Sequence, residues 1–470
     1  MRFGILFLFL VACSSPVKKA AVPENTAAAI AKPAITAGAI RLKPAREITL
    51  DNGLKIIFIR DHSLPRISMM LLVRAGIREE VEGKGGINAL TSQLLEQGTA
   101  SKSAPQVADA FADLGSEFAV SPGDDATMIS SDALSTSAEN LLGLFYEVIS
   151  SPSFKDVEIK RLKSQFIASM KKRLDNPMAM VEENFQNFLY EGHPYERALI
   201  GDEKSLAKIK KQDIVKHYLN WYRPNNSALA VVGAFNEVFE RRVIETFKKW
   251  PQRPLKKITT PQLADLTDFK MKVVSKSGLA QTQIRIGQRG VPRQNADYLR
   301  LRVANEILGG GFVSRLNQKI RDDLGLTYSI SSFVEAHSDR GVMGISTFTK
   351  NQSVGQTISE ALKVLEEYVA KGVNENELRA AKNLLIGQFP KSIETADRLA
   401  SNYLFLDFYG IPRTYLTNYN RNVEEITLNE VNDVIKKYYS PRNLRVVIYG
   451  DDKAISEQLK DYSPQIIKVH

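Results

Sequence analysis

The chain has 470 residues, 43% of them hydrophobic and 25% charged, and its formal net charge at pH 7 is +10. Single cores stop growing near ~250–300 residues, so this length predicts at least two domains. The positive charge is spread without a run of five basic residues. We therefore read it as an ordinary solvated surface and expect no nucleic-acid binding.

Residues 1–13 have the pattern of a secretory signal. "MRFGILFLFLVAC" has one basic residue, an apolar core too short to span a bilayer, and the only cysteine of the chain, Cys13. The tetrad ending at Cys13 resembles a bacterial lipobox. That resemblance implies cleavage before Cys13, lipidation of Cys13 and anchoring in the bacterial envelope, at the periplasmic face of the outer membrane. A plain signal peptide with a chance cysteine is the alternative.

Residues 14–45 are rich in Ala, Pro and Lys, which predicts a flexible tether. The folded body then begins with a hairpin, because Asp51-Asn52-Gly53 separates two β-rich runs. The pattern next predicts a strand at 67–76, helices at 84–97 and 104–114, a strand at 126–135, helices through 138–222 and a strand at 227–235. Hairpins rather than strict βαβ alternation predict an α+β fold.

The chain also contains an internal repeat. Residues 209–236 match 426–452 in pattern. Pro224 corresponds to Pro441 and Gly233 corresponds to Gly450, each at an offset of 217 residues. Each copy has an amphipathic helix, a Tyr-x-Pro-x-Asn turn and an apolar strand. The repeat predicts two homologous domains, 46–250 and 268–465, joined by a linker with three prolines, 251–267.

Three stretches of these halves resemble the pitrilysin/insulinase family of zinc peptidases, in the branch of the mitochondrial processing peptidase and its bacterial relatives. They are "VRAGIREEVEGKGGINALTSQLLEQGTASKSAPQVADAFADLGSEF", "DNPMAMVEENFQNFLYEGHPYERALIGDEKSLAKI" and "NEILGGGFVSRLNQKIRDDLGLTYSISS". The resemblance covers nearly all of 46–465. It implies two domains, each a mostly antiparallel sheet packed against helices, that form a clamshell.

Active members of this family carry H-x-x-E-H on the matching helix, because that spacing lets two imidazoles bind Zn²⁺ beside a glutamate that activates water. Here those positions are Ala89, Ser92 and Gln93. The family's third ligand, a glutamate, corresponds to Ala168 or Ser169. We expect the first three to line a cleft without a metal. The resemblance thus implies no zinc in this chain.

Other catalytic sites find little support in the sequence. The closest two of the five histidines, His193 and His217, are 24 residues apart, so no local pair has metal-ligand spacing. A zinc site assembled from distant residues stays open as an alternative, and His193 reads as structural. No G-x-S-x-G elbow or G-x-x-x-x-G-K-[ST] loop is present in the sequence.

The second half keeps a motif that the family uses. Active members have an arginine and, seven residues later, a tyrosine, which hold the substrate backbone and help to stabilise the tetrahedral intermediate. Arg321 and Tyr328 match this pair. The resemblance therefore implies a substrate-binding role for both. The alternative is that Arg321 pairs with neighbouring aspartates and that Tyr328 is an ordinary strand residue.

The family also binds peptides along a sheet edge in the first half. The matching stretch, 115–130, has Ala119 where the family often has asparagine, and Pro122 is expected to interrupt the strand. Peptide binding at this edge is therefore in question.

Three functions remain to be compared. The first is a non-catalytic subunit of a two-chain zinc metallopeptidase, in which a homologous partner with an intact H-x-x-E-H supplies zinc and this chain supplies Arg321 and Tyr328. The second is a lipid-anchored structural or peptide-binding protein without a role in proteolysis. The third is an independent peptidase with unrecognised ligands. We favour the first; it implies a peptide or unfolded polypeptide as substrate and no catalysis by this chain alone.

Overall fold

The computed structural model describes residues 40, 42–256 and 258–468. They form two six-stranded sheets, one in each predicted half. The predicted signal, Cys13 and most of the predicted tether lie outside the described residues, so the lipid anchor stays a prediction. None of the described helices has the length and apolar composition needed to cross a membrane.

The first half contributes the strands β1 (Arg46–Thr49), β2 (Lys55–Arg60), β3 (Arg66–Val73), β4 (Phe118–Pro122), β5 (Thr127–Leu134) and β6 (Ser227–Gly233). Its helices are α1 (Ile87–Gln93), α2 (Ala104–Asp113), α3 (Ala138–Ser150), α4 (Asp156–Arg173), α5 (Pro177–Leu189), α6 (Glu203–Lys208), α7 (Lys211–Trp221) and α8 (Glu237–Lys248). The strands lie in the order β1-β2-β6-β3-β5-β4, and only β2 and β6 run parallel.

The second half contributes β7 (Lys270–Ser275), β8 (Gln281–Arg289), β9 (Ile330–Glu335), β10 (Val342–Lys350), β11 (Arg445–Gly450) and β12 (Gln465–Lys468). Its helices are α9 (Tyr298–Asn305), α10 (Val354–Lys371), α11 (Glu375–Ser392), α12 (Ala396–Phe408), α13 (Thr414–Thr417), α14 (Tyr419–Glu424), α15 (Leu428–Tyr438) and α16 (Asp452–Leu459). The strand order is β12-β7-β11-β8-β10-β9, with β7 parallel to both β11 and β12.

The predicted fold class, two homologous halves with mostly antiparallel sheets, is confirmed. The first residues of α7 and α15 are 217 positions apart in the sequence, and so are their last residues. The strands that follow these helices, β6 and β11, are each the third strand in the order of their sheet. The predicted hairpin is present as well, with Gly53 at φ +83° between β1 and β2. Only the outer strand departs from the repeat: β1 opens the first half antiparallel to β2, whereas β12 ends the second half parallel to β7.

Each half lends one helix to the sheet of the other half. α5 packs on β8 and β11, where Phe185 and Leu189 share an apolar cluster with Val447. α12 packs on β2, β3 and β6, where Leu404 shares a cluster with Ala230. Burial of these apolar faces joins the halves by the same hydrophobic term that stabilises each core. The two halves are therefore packed together through both exchanged helices.

A buried carboxylate closes the contact between the halves. Asp125, in the turn between β4 and β5, accepts a hydrogen bond from the Tyr195 hydroxyl of its own half. Its other oxygen accepts from two groups of the second half, the Ser338 backbone N–H at 2.7 Å and the Tyr409 hydroxyl at 3.2 Å. Burial and the Asp125 carboxylate raise the pKa of Tyr195, so this phenol keeps its proton and donates. We call these four residues the Asp125 junction.

A second carboxylate extends this contact. Asp339 of the second half accepts from Arg78 Nε at 2.8 Å and from Thr260 Oγ1 at 3.0 Å, and it lies 3.3 Å from His193 Nε2. Burial acts to raise the pKa of the Asp339 carboxyl, but the nearby His193 ring and the Arg78 guanidinium outweigh it, and the pKa lies well below its usual range. Charge-assisted bonds therefore hold the linker and both halves at one point.

Candidate functional site

The helix that matches the family's metal-binding helix is α1, and one ligand position of the motif and its base position are closed off from solvent. Ala89 and Ser92 are inaccessible to solvent, and the Ser92 hydroxyl donates to the Ala89 carbonyl at 3.0 Å. The expectation that these residues line a cleft is therefore wrong. α1 packs against α7, and the buried Tyr222 brings its hydroxyl close to Ser92. Only Gln93 is partly exposed.

The helix is also shorter than the predicted 84–97. It begins after Gly86, which has φ +85°, and regular helical structure ends at Gln93. A residue with a Cβ would be strained at Gly86, and its Cβ would lie 2.4 Å from the Ile200 carbonyl oxygen. The glycine therefore sets the point at which this helix begins.

Two adjacent buried carboxyl groups lie before α1, and the second of them, Glu80, supports the start of the helix. Glu79 accepts from the Gly76 backbone N–H at 2.8 Å, and Glu80 accepts from those of Gly86 and Asn88 at 3.0 and 3.1 Å. Burial raises the pKa of both carboxyls to about 8, because their hydrogen bonds offset the loss of solvation only in part. Both groups thus give up their protons only near pH 8.

This burial predicts that the protein loses stability as the pH rises towards 8. The unfolded chain, with ordinary carboxyl pKa values, holds fewer protons than the folded chain between about pH 5 and 8. Each group should lower the free energy of unfolding by up to about 1.4 kcal/mol per pH unit there. Urea midpoints compared between about pH 6.5 and 8 avoid the opposing effect of His217, whose pKa burial lowers to about 3.

In this experiment Glu80→Gln should make the free energy of unfolding depend less steeply on pH than in the wild type. The amide oxygen can still accept from the two backbone N–H groups, and the titrating charge is gone. Glu82→Gln, at an exposed position two residues away, is the matched control and should leave the slope unchanged. Equal slopes for the wild type and Glu80→Gln would contradict the burial effect.

The histidines and the third ligand position do not converge on a metal site. Among the described residues, no three His, Cys, Asp or Glu side chains are grouped so that they could hold an ion. Ala168 and Ser169 lie exposed on α4. His193 accepts from the Tyr195 backbone N–H at 3.2 Å beside Asp339, and His217 Nε2 lies 3.2 Å from Asn88 Oδ1. These contacts fit structural roles for both rings.

Arg321 lies on a π-helical turn, Asn317–Asp323, which follows α9 and a similar turn at Glu306–Gly310. Its guanidinium stands over the Phe312 ring at 5.4 Å. Within the part of the chain that the structure describes, Arg321 has no ion pair, and the nearby Asp323 accepts from Gln318 at 3.0 Å instead. Pairing with neighbouring aspartates therefore does not explain this arginine. Its hydrogen-bond donors are available to another molecule.

Tyr328 lies just before the edge strand β9, and its side chain is 81% exposed. The backbone around it is held firmly. The Ser329 carbonyl accepts from Thr327 Oγ1 at 3.0 Å and from Thr347 Oγ1 at 2.9 Å, and the Leu326 carbonyl accepts from Thr349 Oγ1 at 2.6 Å. A fixed backbone with an exposed phenol suits contact with a second molecule.

Two exposed apolar residues lie beside this motif and were not predicted from the sequence. Phe312 and Val313 are 80% and 83% exposed, and with Tyr328 they are the most exposed of the large hydrophobic side chains described. The signal was present in "GGGFV", where a glycine run precedes two large apolar residues. Exposed apolar groups of this kind mark contact surfaces. We call Phe312, Val313, Arg321 and Tyr328 the Arg–Tyr segment.

The peptide-binding edge expected from the family corresponds to β4, the last strand of the first sheet. Ala119 is exposed on it. Pro122 does not interrupt this strand as predicted; it is the last residue of β4 and pairs with Thr127. The missing N–H therefore affects only the end of the edge.

Comparison with known proteins places these features in one family. The family model described as "Insulinase (Peptidase family M16)" matches residues 55–203, and the model described as "Peptidase M16 inactive domain" matches residues 208–385. The first model lies within the first half, whereas the second runs from the end of the first half through the linker into the second half, and together they cover most of the chain.

Relatives and solved structures agree with this match. The chain is 24% identical over 413 residues to an uncharacterized zinc protease of Rickettsia felis, covering 86% of this chain and 97% of that protein. It is 23% identical over 406 residues to a non-peptidase homolog of Helicobacter pylori, covering 85% and 92%. A peptidase M16 inactive domain from Pseudomonas fluorescens has a TM-score of 0.78 at 27% identity, covering 87% and 98%. A protease from Helicobacter pylori shares the fold, with a TM-score of 0.79 at 22% identity, covering 87% and 100%.

Proposed function

Because this chain belongs to the M16 (insulinase) family of peptidases, we propose that it is the non-catalytic subunit of a two-chain zinc metallopeptidase. The inactive-domain match and the non-peptidase relative indicate a peptidase-like protein without a catalytic zinc of its own. In the proposed complex this chain binds the peptide substrate and completes the active site of a homologous partner with an intact H-x-x-E-H. The partner's zinc would polarise the scissile carbonyl and activate water.

The observation that carries this proposal is the state of Arg321 and Tyr328. Among the described residues, the Arg321 guanidinium has no ion pair and the Tyr328 phenol is exposed on a rigid backbone, so both are hydrogen-bond donors that this part of the chain leaves unused. Donors fixed in advance stabilise a developing oxyanion at little reorganisation cost. The exchange of α5 and α12 holds the two halves of this chain together. It therefore supports a peptide-binding cleft formed between this chain and a second chain.

The site of action in this proposal is the bacterial envelope. Lipidated Cys13 would hold the complex at the periplasmic face of the outer membrane, with residues 14–45 as a spacer. Each buried CH₂ of an acyl chain contributes about 0.8 kcal/mol, so several chains on one residue give a firm anchor. Mass spectrometry of the mature N-terminus tests this part: a diacylated or triacylated Cys13 is expected, and an unmodified chain cut elsewhere would contradict it.

A lipid-anchored binding protein without a role in proteolysis is the second candidate. The observation that favours it is the burial of Ala89 and Ser92, two positions that match the family's catalytic motif and are packed in the core here. Such a protein could use Phe312 and Val313 for contact with a partner, but it would have no use for the donors of Arg321.

Native co-purification separates the two candidates. We would tag the C-terminus, extract membranes gently and identify stoichiometric partners by mass spectrometry. A homologous chain with H-x-x-E-H is the expected partner, and peptidase activity should appear with the pair. Isolation of the chain alone, or only with envelope proteins of other kinds, would favour the binding protein.

The purified chain by itself should hold no stoichiometric zinc and cleave no unfolded polypeptide. The physical reason is the residue set at the motif positions, since alanine cannot bind zinc at the first ligand position and the Ser92 hydroxyl, at the position of the base, is buried and already donates to a carbonyl. Elemental analysis and a casein assay check this result. One zinc per chain, lost on chelation together with activity, would instead support an independent peptidase.

A further inference from the structure

A basic groove on the first half shares no residue with the Arg–Tyr segment. It has a volume of about 1080 Å³ and lies along the exposed face of α7. Its charged lining residues are Lys210, Lys211, Lys216, Arg223, Arg253 and Asp156. Five basic side chains thus face a single carboxylate. We call this set the basic groove.

Arg223 is the residue that makes the groove more than a patch of surface lysines. Only 5% of it is exposed, although it lines the groove. Its Nη1 donates to the Pro254 carbonyl at 2.6 Å, while its Nε is buried and has no hydrogen-bond partner among the described residues. Burial and the neighbouring Arg253 guanidinium lower the pKa of Arg223, which reflects positive charge that is not compensated.

The acidic residues nearby do little to neutralise this charge. Asp156 lies 3.9 Å from Lys211 and is 83% exposed at its side chain, so solvent screens the pair. Asp213 forms its ion pair with Lys84 and accepts the Lys210 backbone N–H at 2.9 Å. Lys210 and Lys211 lie at the amino-terminal end of α7, whose helix dipole adds positive charge at that end of the groove. A nearly buried guanidinium without an acidic partner is costly unless an anion joins it.

We propose that the basic groove binds a phosphate group. A phosphate oxygen set matches the planar donors of arginine and can contact several lysines at once. Val215 and Leu219 line the same groove, which leaves room for an apolar or ester substituent next to the phosphate. The phosphate could therefore come from a phospholipid headgroup or from a soluble phosphate compound. The proposal is independent of the peptidase complex, because it involves neither Arg321 nor Tyr328.

Calorimetric titration of the full chain in phosphate-free buffer tests it with two probes. One is inorganic phosphate, and the other is dihexanoyl phosphatidylglycerol kept below its critical micelle concentration. Lys211→Gln/Arg253→Gln removes two exposed cations of the groove without touching the core. The matched control, Arg241→Gln/Lys248→Gln, removes two exposed cations of α8. Arg223→Lys keeps the charge but removes the guanidinium donors.

At least one probe should bind the wild type, and the groove variant should bind it at least about tenfold more weakly. The control should change the affinity less than about twofold. Arg223→Lys should give an intermediate loss, with the fold checked by Trp221 fluorescence. Binding of the lipid alone would identify a headgroup as the source, and equal or tighter binding of inorganic phosphate would identify a soluble one. The proposal is overturned if neither probe binds, or if the groove variant and the control lose affinity equally.

Discussion

Replacing Asp125 with asparagine is expected to lower the free energy of unfolding by about 3 kcal/mol and to uncouple the two halves. The carboxylate accepts from three donors, two of which belong to the second half. The asparagine amide offers one acceptor oxygen and an NH₂ group that is itself a donor. If the amide oxygen keeps its bonds to Ser338 and Tyr409, the NH₂ group faces Tyr195, whose hydroxyl must turn its proton away and lose its bond to a charged acceptor in a buried site.

The positions of the tryptophans allow the two halves to be followed separately. The chain has two tryptophans, Trp221 and Trp250, and both belong to the first half. Fluorescence in a urea titration thus follows the first half, while far-UV circular dichroism follows both. We expect coincident transitions for the wild type and separated transitions for Asp125→Asn, because the halves then unfold independently.

Two controls sharpen this experiment. Asp109→Asn, at an exposed position on α2, should leave the transitions unchanged. Tyr195→Phe removes only the donor from the first half, so it should cost less than Asp125→Asn and keep the two transitions together. Separated transitions in the wild type would show that the helix exchange and the Asp125 junction do not couple the halves.

The parts of the fold that the sequence predicted depend on local patterns. The turn at Gly53 is set by a few neighbouring residues. The repeat is visible because α7 precedes Gly233 by the same number of residues as α15 precedes Gly450. These features need no knowledge of which elements meet in space. For that reason the hairpin, the α+β class and the two homologous halves follow from the sequence alone.

The helix exchange could not be predicted in this way. The apolar residues of α5 show that the helix buries one face, but they do not show which sheet it covers. That choice depends on contacts such as Phe185 with Val447, more than 250 residues apart in the sequence. The same limit explains the error at Ala89 and Ser92. A helical wheel places both residues on the side opposite Leu90, but it cannot show that α7 packs against that side.

Resemblance to the family found Arg321 and Tyr328 but gave no information on their surroundings. The alternative of an ion pair with neighbouring aspartates needed the structure, in which Asp323 is bonded to Gln318. The sequence does not predict a role for Phe312 and Val313, because single exposed apolar residues are common on protein surfaces. The structure makes them informative, because about four fifths of each side chain is exposed and both lie on the loop beside Arg321.

Arg321→Ala should lower kcat of the proposed two-chain complex by about 100-fold without unfolding this chain. The loss corresponds to removal of one preorganised donor to a developing oxyanion. The fold should tolerate the change, because Arg321 takes part in no ion pair among the described residues. Its guanidinium stands over the ring of Phe312, which is itself exposed. Arg442→Ala, at an exposed position in the same half, is the matched control and should leave kcat unchanged.

Tyr328→Phe shows whether the hydroxyl acts on the reacting atoms or the ring only holds the substrate. The variant keeps the aromatic surface and removes the donor, so a catalytic role predicts a lower kcat at a similar KM. A structural or docking role predicts no change in kcat, because the exposed hydroxyl has no partner among the described residues that the change could break. If both Arg321→Ala and Tyr328→Phe leave turnover intact, the pair is a remnant of an ancestral site. The binding-protein alternative would then be the better account of why the fold persists.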